Sequence, residues 1–85
     1  MPDIVVYSSR FCPYCRRAQA LLDCKGALYT LRDVDRDPQL WREIAVRTGR
    51  NTVPQIFIDD RHIGGCDDLL ALDQRGELDP LLQDC

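Results

Sequence analysis

The 85-residue sequence predicts an α/β fold, a four-stranded mixed sheet flanked by helices in the order βαβαββα. Short apolar runs alternate with segments in which apolar residues recur at helical spacing, which is typical of βαβ units. The last two predicted strands are separated only by Asp59-Asp60, which predicts a hairpin after a right-handed parallel crossover. The length, a hydrophobic content of 45% and the absence of repeats predict one domain over residues 1–85.

The first strand and helix surround a pair of cysteines. Residues 4–7 are apolar and rich in β-branched side chains, which predicts a buried strand over residues 3–7, and residues 8–11 form a loop. Pro13 suits the first position of a helix that ends near Cys24, before Gly26. We expect Cys24 to be a buried small apolar residue. The residues expected on the inner face are Cys15, Ala18, Leu21 and Leu22.

The middle of the chain predicts a second strand and a second helix. Residues 27–34 form the strand, with Leu28 and Leu31 as its apolar anchors. Asp37 is expected as the helix N-cap and Pro38 as its first residue, and the helix continues to Thr48 before Gly49. The residues expected to face inward are Leu40, Trp41, Ile44 and Ala45.

The last third predicts a strand over residues 53–58, which is apolar apart from Gln55, and a short antiparallel strand over 61–63. We expect His62 to be exposed on this strand. A third helix begins at Cys66 and stops at Gly76, and a last turn begins at Asp79-Pro80. The apolar residues expected on these last helical segments are Leu69, Leu70, Leu72, Leu81 and Leu82, and terminal Cys85 is expected to be mobile.

The strongest motif is Cys12-Pro13-Tyr14-Cys15, placed at a strand-to-helix turn, which indicates a redox-active pair. Cys12 is expected at the helix N-cap, where free N–H groups and the helix dipole favour the thiolate, the nucleophilic form of cysteine. Cys15 lies one turn further on the same face and is expected to be the sheltered resolving thiol. Arg10, Arg16 and Arg17 add positive charge.

Other function classes have less support. A zinc site needs about four ligands, but Cys24, Cys66 and Cys85 form no second pair, and His62 is the only histidine, so we expect no metal. A net charge of −3 argues against nucleic acid or a membrane surface as partner. Five cysteines without a signal peptide indicate a reducing cytoplasm. We expect a monomer.

Three segments together resemble the glutaredoxins, which have the thioredoxin-like fold. They are Cys12-Pro13-Tyr14-Cys15, Thr52-Val53-Pro54 and 64–68 with the sequence Gly-Gly-Cys-Asp-Asp, and from Gly49 to Leu82 the chain is similar to the bacterial glutaredoxin 3 type. The resemblance implies a glutathione-dependent thiol–disulfide oxidoreductase that reduces protein disulfides and glutathione mixed disulfides. It also implies protein partners such as ribonucleotide reductase or other reductases, with glutathione reductase acting indirectly.

The resemblance also implies a binding site for glutathione. Pro54 matches a cis-proline facing the cysteines, and the backbone of Val53, after Thr52, matches the group that pairs with the cysteinyl backbone of glutathione. Tyr14 matches a residue that lines the groove. The stretch that holds the γ-glutamyl end is matched by Gly65, Cys66 and Asp67.

The sequence departs from the family pattern at Ser9, where many members have a lysine. We therefore expect Arg10, Arg47 or Arg50 to contact the glycyl carboxylate of glutathione. The side chain of Cys66 either is incidental or forms a third reactive thiol. Two alternative functions stay open: an iron–sulfur carrier that uses the first cysteine and glutathione, and an electron donor reduced by thioredoxin reductase.

Overall fold

The computed structural model describes residues 2–82, which form four strands and four helices. Each element of the predicted order is present, and a short fourth helix follows. In chain order the elements are β1 (Ile4–Ser8), α1 (Pro13–Cys24), β2 (Thr30–Asp33), α2 (Leu40–Thr48), β3 (Gln55–Ile58), β4 (Arg61–Gly64), α3 (Cys66–Gln74) and α4 (Leu78–Leu82).

The four strands make one mixed sheet in the order β2-β1-β3-β4. β1 is parallel to β2 and β3 is antiparallel to β4, as the sequence predicts, and β1 is also antiparallel to β3. The β3–β4 turn uses Asp59 and Asp60, whose φ values of 50° and 65° lie in the left-handed region that Asp tolerates better than most residues. Within this hairpin, the register of the β3–β4 pairing shifts between Ile56 and Phe57.

The two faces of the sheet pack against different helices. The α1/α3 face is an entirely apolar cluster, and partly buried leucines of α4 pack against it. The α2 face is smaller and holds the aromatic rings of Tyr7 and Phe57. The α1/α3 face comprises Ile4, Val6, Ala18, Leu22, Ile56, Ile58, Cys66, Leu69, Leu72 and Leu78, and the α2 face comprises Tyr7, Val34, Leu40, Ile44 and Phe57.

The predicted second strand is wrong in length and in its apolar anchors. β2 has only four residues, and Leu28 and Leu31 are 71% and 48% exposed. β2 is an edge strand with neither side chain in a core cluster, whereas Ala27, Tyr29 and Val34 supply the apolar contacts. In an edge strand this short, two apolar residues are too few to show which of its side chains face the core.

The second helix begins later than predicted. Asp37 and Pro38 belong to a preceding turn in which the Asp37 carboxylate accepts from the Gln39 N–H, and the helix proper starts at Leu40. Gly49 ends it in the left-handed conformation, as expected. Leu40 and Ile44 are buried and Trp41 packs against them, but Ala45 is exposed.

Two single-residue predictions are also wrong. Cys24 is exposed, because it follows the buried Leu22 by two residues and lies on the outer side of α1. His62 is half-buried against the Phe57 ring, with 5.1 Å between the centroids.

Leu81 and Leu82 pack on the α1/α3 face as expected, and Cys85 lies outside the described residues. Within residues 2–82, no helix combines the length and the apolar character needed to span a bilayer.

Candidate active site

Cys12 lies at the N-cap of α1, with extended backbone angles, and Pro13 follows at the first helical position. The backbone N–H of Cys15 donates to Cys12 Sγ across 3.2 Å, so one free amide of the first turn is directed at the sulfur. No acidic residue lies in this first turn. The positive end of the α1 dipole therefore lies at Cys12 Sγ.

The two cysteines lie in different environments. Cys12 is partly exposed, whereas Cys15 is completely buried. Burial, and then the neighbouring Cys12 sulfur, raise the pKa of the Cys15 thiol to about 12. Cys15 is therefore a neutral thiol at pH 7, while Cys12 is accessible to a substrate.

A groove of about 210 Å³ runs beside this pair. The Val53–Pro54 peptide bond is cis, as the resemblance implies, and the Val53 carbonyl oxygen accepts from the Cys12 thiol across 3.7 Å. The loop before β3 therefore contacts the cysteine pair directly. The groove is lined by Tyr14, Arg50, Thr52, Val53, Pro54, Gln55, Gly65, Cys66, Asp67 and Asp68.

The N-terminus of α3 forms the opposite wall of the groove. The Gly65 N–H donates to Asp68 Oδ2 across 2.9 Å, and the same oxygen accepts from Arg50 Nη1 across 3.2 Å. The Gly65 N–H bond first, and Arg50 after it, lower the pKa of Asp68. A Cβ at Gly64 would collide with the Asp68 carboxylate, and one at Gly65 would lie 3.4 Å from the Pro54 carbonyl oxygen. Gly64 therefore permits this close approach, whereas a Cβ at Gly65 would make only an ordinary contact.

The three arginines proposed to replace the family lysine lie in different places. Arg50 lines the groove. Arg10 pairs with Asp33 at the end of β2, with 3.3 Å between Nε and Oδ2, and lies outside the groove lining. Arg47 stacks on Phe57 at 3.8 Å and donates to the Tyr7 hydroxyl, so it belongs to the α2 face.

Cys66 is buried at the start of α3 although it borders the groove. Burial, and then the charge of Asp67, raise the pKa of its thiol. Within residues 2–82, His, Cys, Asp and Glu side chains form no group of three or more that could hold a metal ion.

Two groove residues were not among the predicted site residues. Asp68 belongs to a motif that the resemblance includes, but its ion pair with Arg50 joins segments 18 residues apart. Gln55 is the only polar residue of β3 and is completely buried. The sequence contains one signal for this residue. A single glutamine in an otherwise apolar strand needs hydrogen-bond partners if it is buried, which indicates a specific polar contact there.

Comparisons with known proteins agree with this geometry. A family model described as Glutaredoxin matches residues 4–63. Glutaredoxin 3 of Escherichia coli K12 is 53% identical over 83 residues, which cover 98% of this chain and 100% of that protein.

Two solved structures have the same thioredoxin-like fold. Glutaredoxin C1 from Populus tremula x tremuloides, in its holo form, has a TM-score of 0.91 and 44% identity, covering 98% of this chain and 78% of that one. A buckwheat glutaredoxin–glutathione complex has a TM-score of 0.90 and 36% identity, covering 95% and 76%. The chain therefore belongs to the glutaredoxin family of thiol–disulfide oxidoreductases and is of the glutaredoxin 3 type.

Proposed function

We propose that this protein uses glutathione to reduce glutathione mixed disulfides and protein disulfides, with Cys12 as nucleophile and Cys15 as resolving thiol. The observation that carries the proposal is the contrast between the two sulfurs. Cys12 is partly exposed and accepts the Cys15 N–H, whereas Cys15 is buried and neutral at pH 7. A similar protein from buckwheat forms a complex with glutathione.

For a mixed disulfide, the Cys12 thiolate attacks the glutathionyl sulfur. The disulfide bond breaks, its other sulfur leaves as a thiolate that takes a proton from water, and Cys12 becomes glutathionylated. A glutathione thiolate then attacks the glutathionyl sulfur on Cys12. This step forms oxidised glutathione and restores the Cys12 thiolate, so overall the thiol of one glutathione is oxidised and one substrate sulfur is reduced and released as a thiol.

For a protein disulfide, the Cys12 thiolate attacks one substrate sulfur and the other leaves as a thiol. Cys15 then loses its proton and attacks Cys12 Sγ, which releases the second substrate thiol and forms a Cys12–Cys15 disulfide. Two glutathione molecules reduce this disulfide and leave as oxidised glutathione. The raised pKa of Cys15 keeps the resolving thiol protonated until the substrate is already attached to Cys12.

The groove supplies groups suited to the parts of glutathione. The first-turn N–H groups of Cys66 and Asp67 suit the carboxylate of the γ-glutamyl end, and the Asp67 carboxylate suits its ammonium group. The Val53 backbone is proposed to pair with the cysteinyl residue, between Thr52 and Pro54. Among the three candidate arginines, the placement of Arg50 in the groove favours it as the partner of a glutathione carboxylate.

The remaining assignments follow from the same proposal. The burial of Cys66 favours a role for its backbone over that of a third reactive thiol, and mass spectrometry after mild oxidation distinguishes the two. Protein substrates with accessible disulfides, such as ribonucleotide reductase or other reductases, are proposed as partners of a monomer in a reducing cytoplasm. Glutathione reductase completes the cycle by reducing oxidised glutathione.

The test is the reduction of a small glutathione mixed disulfide, coupled to glutathione reductase and NADPH. We expect activity in the wild type and in Cys15→Ser, and at least a thousandfold loss in Cys12→Ser, because only Cys12 is needed in this reaction. Cys15→Ser is expected to lose reduction of a protein disulfide. Loss of both reactions in Cys15→Ser would contradict the division of roles.

The same preparation separates the two alternative functions. An electron donor reduced by thioredoxin reductase would be active with that enzyme and inactive with glutathione. A cluster carrier would show visible absorbance after anaerobic purification, together with loss of that absorbance in Cys12→Ser.

A further inference from the structure

The buried side chain of Gln55 bridges the two ends of the loop that faces Cys12. Its Nε2 donates to the Thr52 carbonyl oxygen across 3.1 Å and to the Thr52 hydroxyl oxygen across 3.2 Å. Gln55 is completely buried in a strand whose other residues are apolar. A buried amide is costly unless it is hydrogen-bonded, and both ends of the Gln55 amide have partners, Thr52 and His62.

Thr52 and His62 together fix which way this amide is turned. The Nε2 atom of His62 lies 2.7 Å from Gln55 Oε1, and the His62 ring stacks on Phe57. Because Gln55 Nε2 is used for Thr52, Oε1 must face His62, and His62 Nε2 must carry a hydrogen. A flipped amide would place one oxygen against another at Thr52. His62 therefore keeps the donor end of Gln55 directed at the loop.

The hydrogen bond to Thr52 has a consequence for the next N–H group. The Thr52 carbonyl and the Val53 N–H belong to one planar peptide, which is trans, so the two groups point in opposite directions. Holding the carbonyl toward the buried amide directs the Val53 N–H away from it. Among residues 2–82, no backbone hydrogen bond uses this N–H. Val53 itself lines the groove.

We propose that Gln55 and His62 are positioning residues, which together aim the Val53 N–H into the groove for the backbone of the thiol substrate. The inference rests on the proposed function, because glutathione is the ligand expected at Val53. An accepted hydrogen bond at the carbonyl also strengthens the donor at the other end of the same peptide. The pair thus acts on binding through the orientation of the Val53 peptide.

The first test is binding of S-methylglutathione, which has no reactive thiol, measured by NMR titration. We expect Gln55→Met and His62→Phe to raise Kd about three- to tenfold, the loss of one well-placed hydrogen bond. His62→Gln supplies an N–H donor again and is expected to restore binding to within about twofold. Ile58→Val is the matched control, because it lowers stability on the opposite face of the same strand without touching Thr52.

The second test is the Val53 amide resonance in the free protein. We expect Gln55→Met and His62→Phe to shift it upfield and speed its hydrogen exchange, whereas His62→Gln and Ile58→Val leave it unchanged. An unchanged Val53 amide in Gln55→Met would overturn the proposal, and so would a Kd that rises equally in Ile58→Val. If wild type fails to bind S-methylglutathione, the proposed function fails separately, and the amide resonance still decides whether Gln55 orients Val53.

Discussion

The two faces of the sheet are built on different principles. The α1/α3 face is packed mainly by buried apolar side chains, with ion pairs from Lys25, at the end of α1, to Asp73 of α3 and Asp79 of α4. On the α2 face, the Tyr7 hydroxyl donates to Glu43 across 2.8 Å and accepts from Arg47 across 3.0 Å. The side chains of Gln55 and His62 are also hydrogen-bonded to each other. Apolar burial has no direction, whereas hydrogen bonds fix orientation. The face that orients groups is also the one that reaches the Thr52–Val53 loop.

The largest effect on stability should come from the α1/α3 face. Leu69 is completely buried on α3, and we expect Leu69→Ala to lower the free energy of unfolding by about 2–5 kcal/mol, through lost burial and a residual cavity. The measurement is urea denaturation. Leu28→Ala is the matched control, because Leu28 is 71% exposed and its loss should change stability by less than about 0.5 kcal/mol. Equal losses of unfolding free energy in the two variants would contradict the assignment of Leu69 to the core and Leu28 to the exposed sheet edge.

A smaller effect is expected on the α2 face. Tyr7→Phe keeps the ring against Phe57 but removes the hydroxyl that joins Glu43 and Arg47. We expect a loss of about 1 kcal/mol in unfolding free energy, since both charged partners are partly exposed and water can replace the hydroxyl. Tyr14→Phe, on a half-exposed ring, serves as the control and should leave stability unchanged.

A loss in Tyr7→Phe as large as that in Leu69→Ala would contradict the comparison. It would mean that the polar network is as important for folding as the apolar core. No loss at all would show that the hydroxyl bonds contribute orientation without stability.

The smallest effect is expected where the two faces meet. The Asp68–Arg50 pair joins α3 to the loop after α2 and is half-exposed, so Asp68→Asn should cost about 0.2–1 kcal/mol at pH 7. The folded protein lowers the pKa of Asp68. The stability that its carboxylate contributes is therefore complete at pH values above the pKa of Asp in an unfolded chain, about 3.9, and is lost as the pH falls through the folded pKa. The stability difference between variant and wild type should therefore close below about pH 3.9.

Urea titrations at pH 7, 5 and 3 check this sign. Asp67→Asn is the control, because Asp67 lies in the same first turn of α3 but makes no ion pair within residues 2–82, so at pH 7 it should lower stability less than Asp68→Asn does. A difference for Asp68→Asn that widens toward pH 3 would reverse the assignment.

Much of the site was predictable because its parts are local. The spacing of Cys12 and Cys15 matches one helical turn, so the sequence alone predicts a common face and an N-cap position. The hairpin at Asp59-Asp60 and the helix start at Cys66 also depend on a few neighbouring residues. These features are set by backbone preferences that act over three or four positions.

The errors fall where long-range packing decides. Leu28 and Leu31 are apolar enough for a core, but no helix covers them at the sheet edge. Helical spacing places Ala45 near the inner face of α2, yet it is exposed because the covered strip of that helix is narrower than the apolar pattern. Cys24 is exposed for a different reason, because its distance of two residues from Leu22 places it on the outer side of α1.

The sequence by itself determined the order of elements, the redox motif, its place at a strand-to-helix turn and the family. Only the tertiary structure decided which of three arginines reaches the groove, that Asp68 holds it, and that Gln55 and His62 bracket the loop before β3. The physical reason is distance along the chain. A turn or a cap is selected by neighbouring residues, whereas Arg50 and Asp68 meet only after α3 packs against β4 and the loop closes beside them.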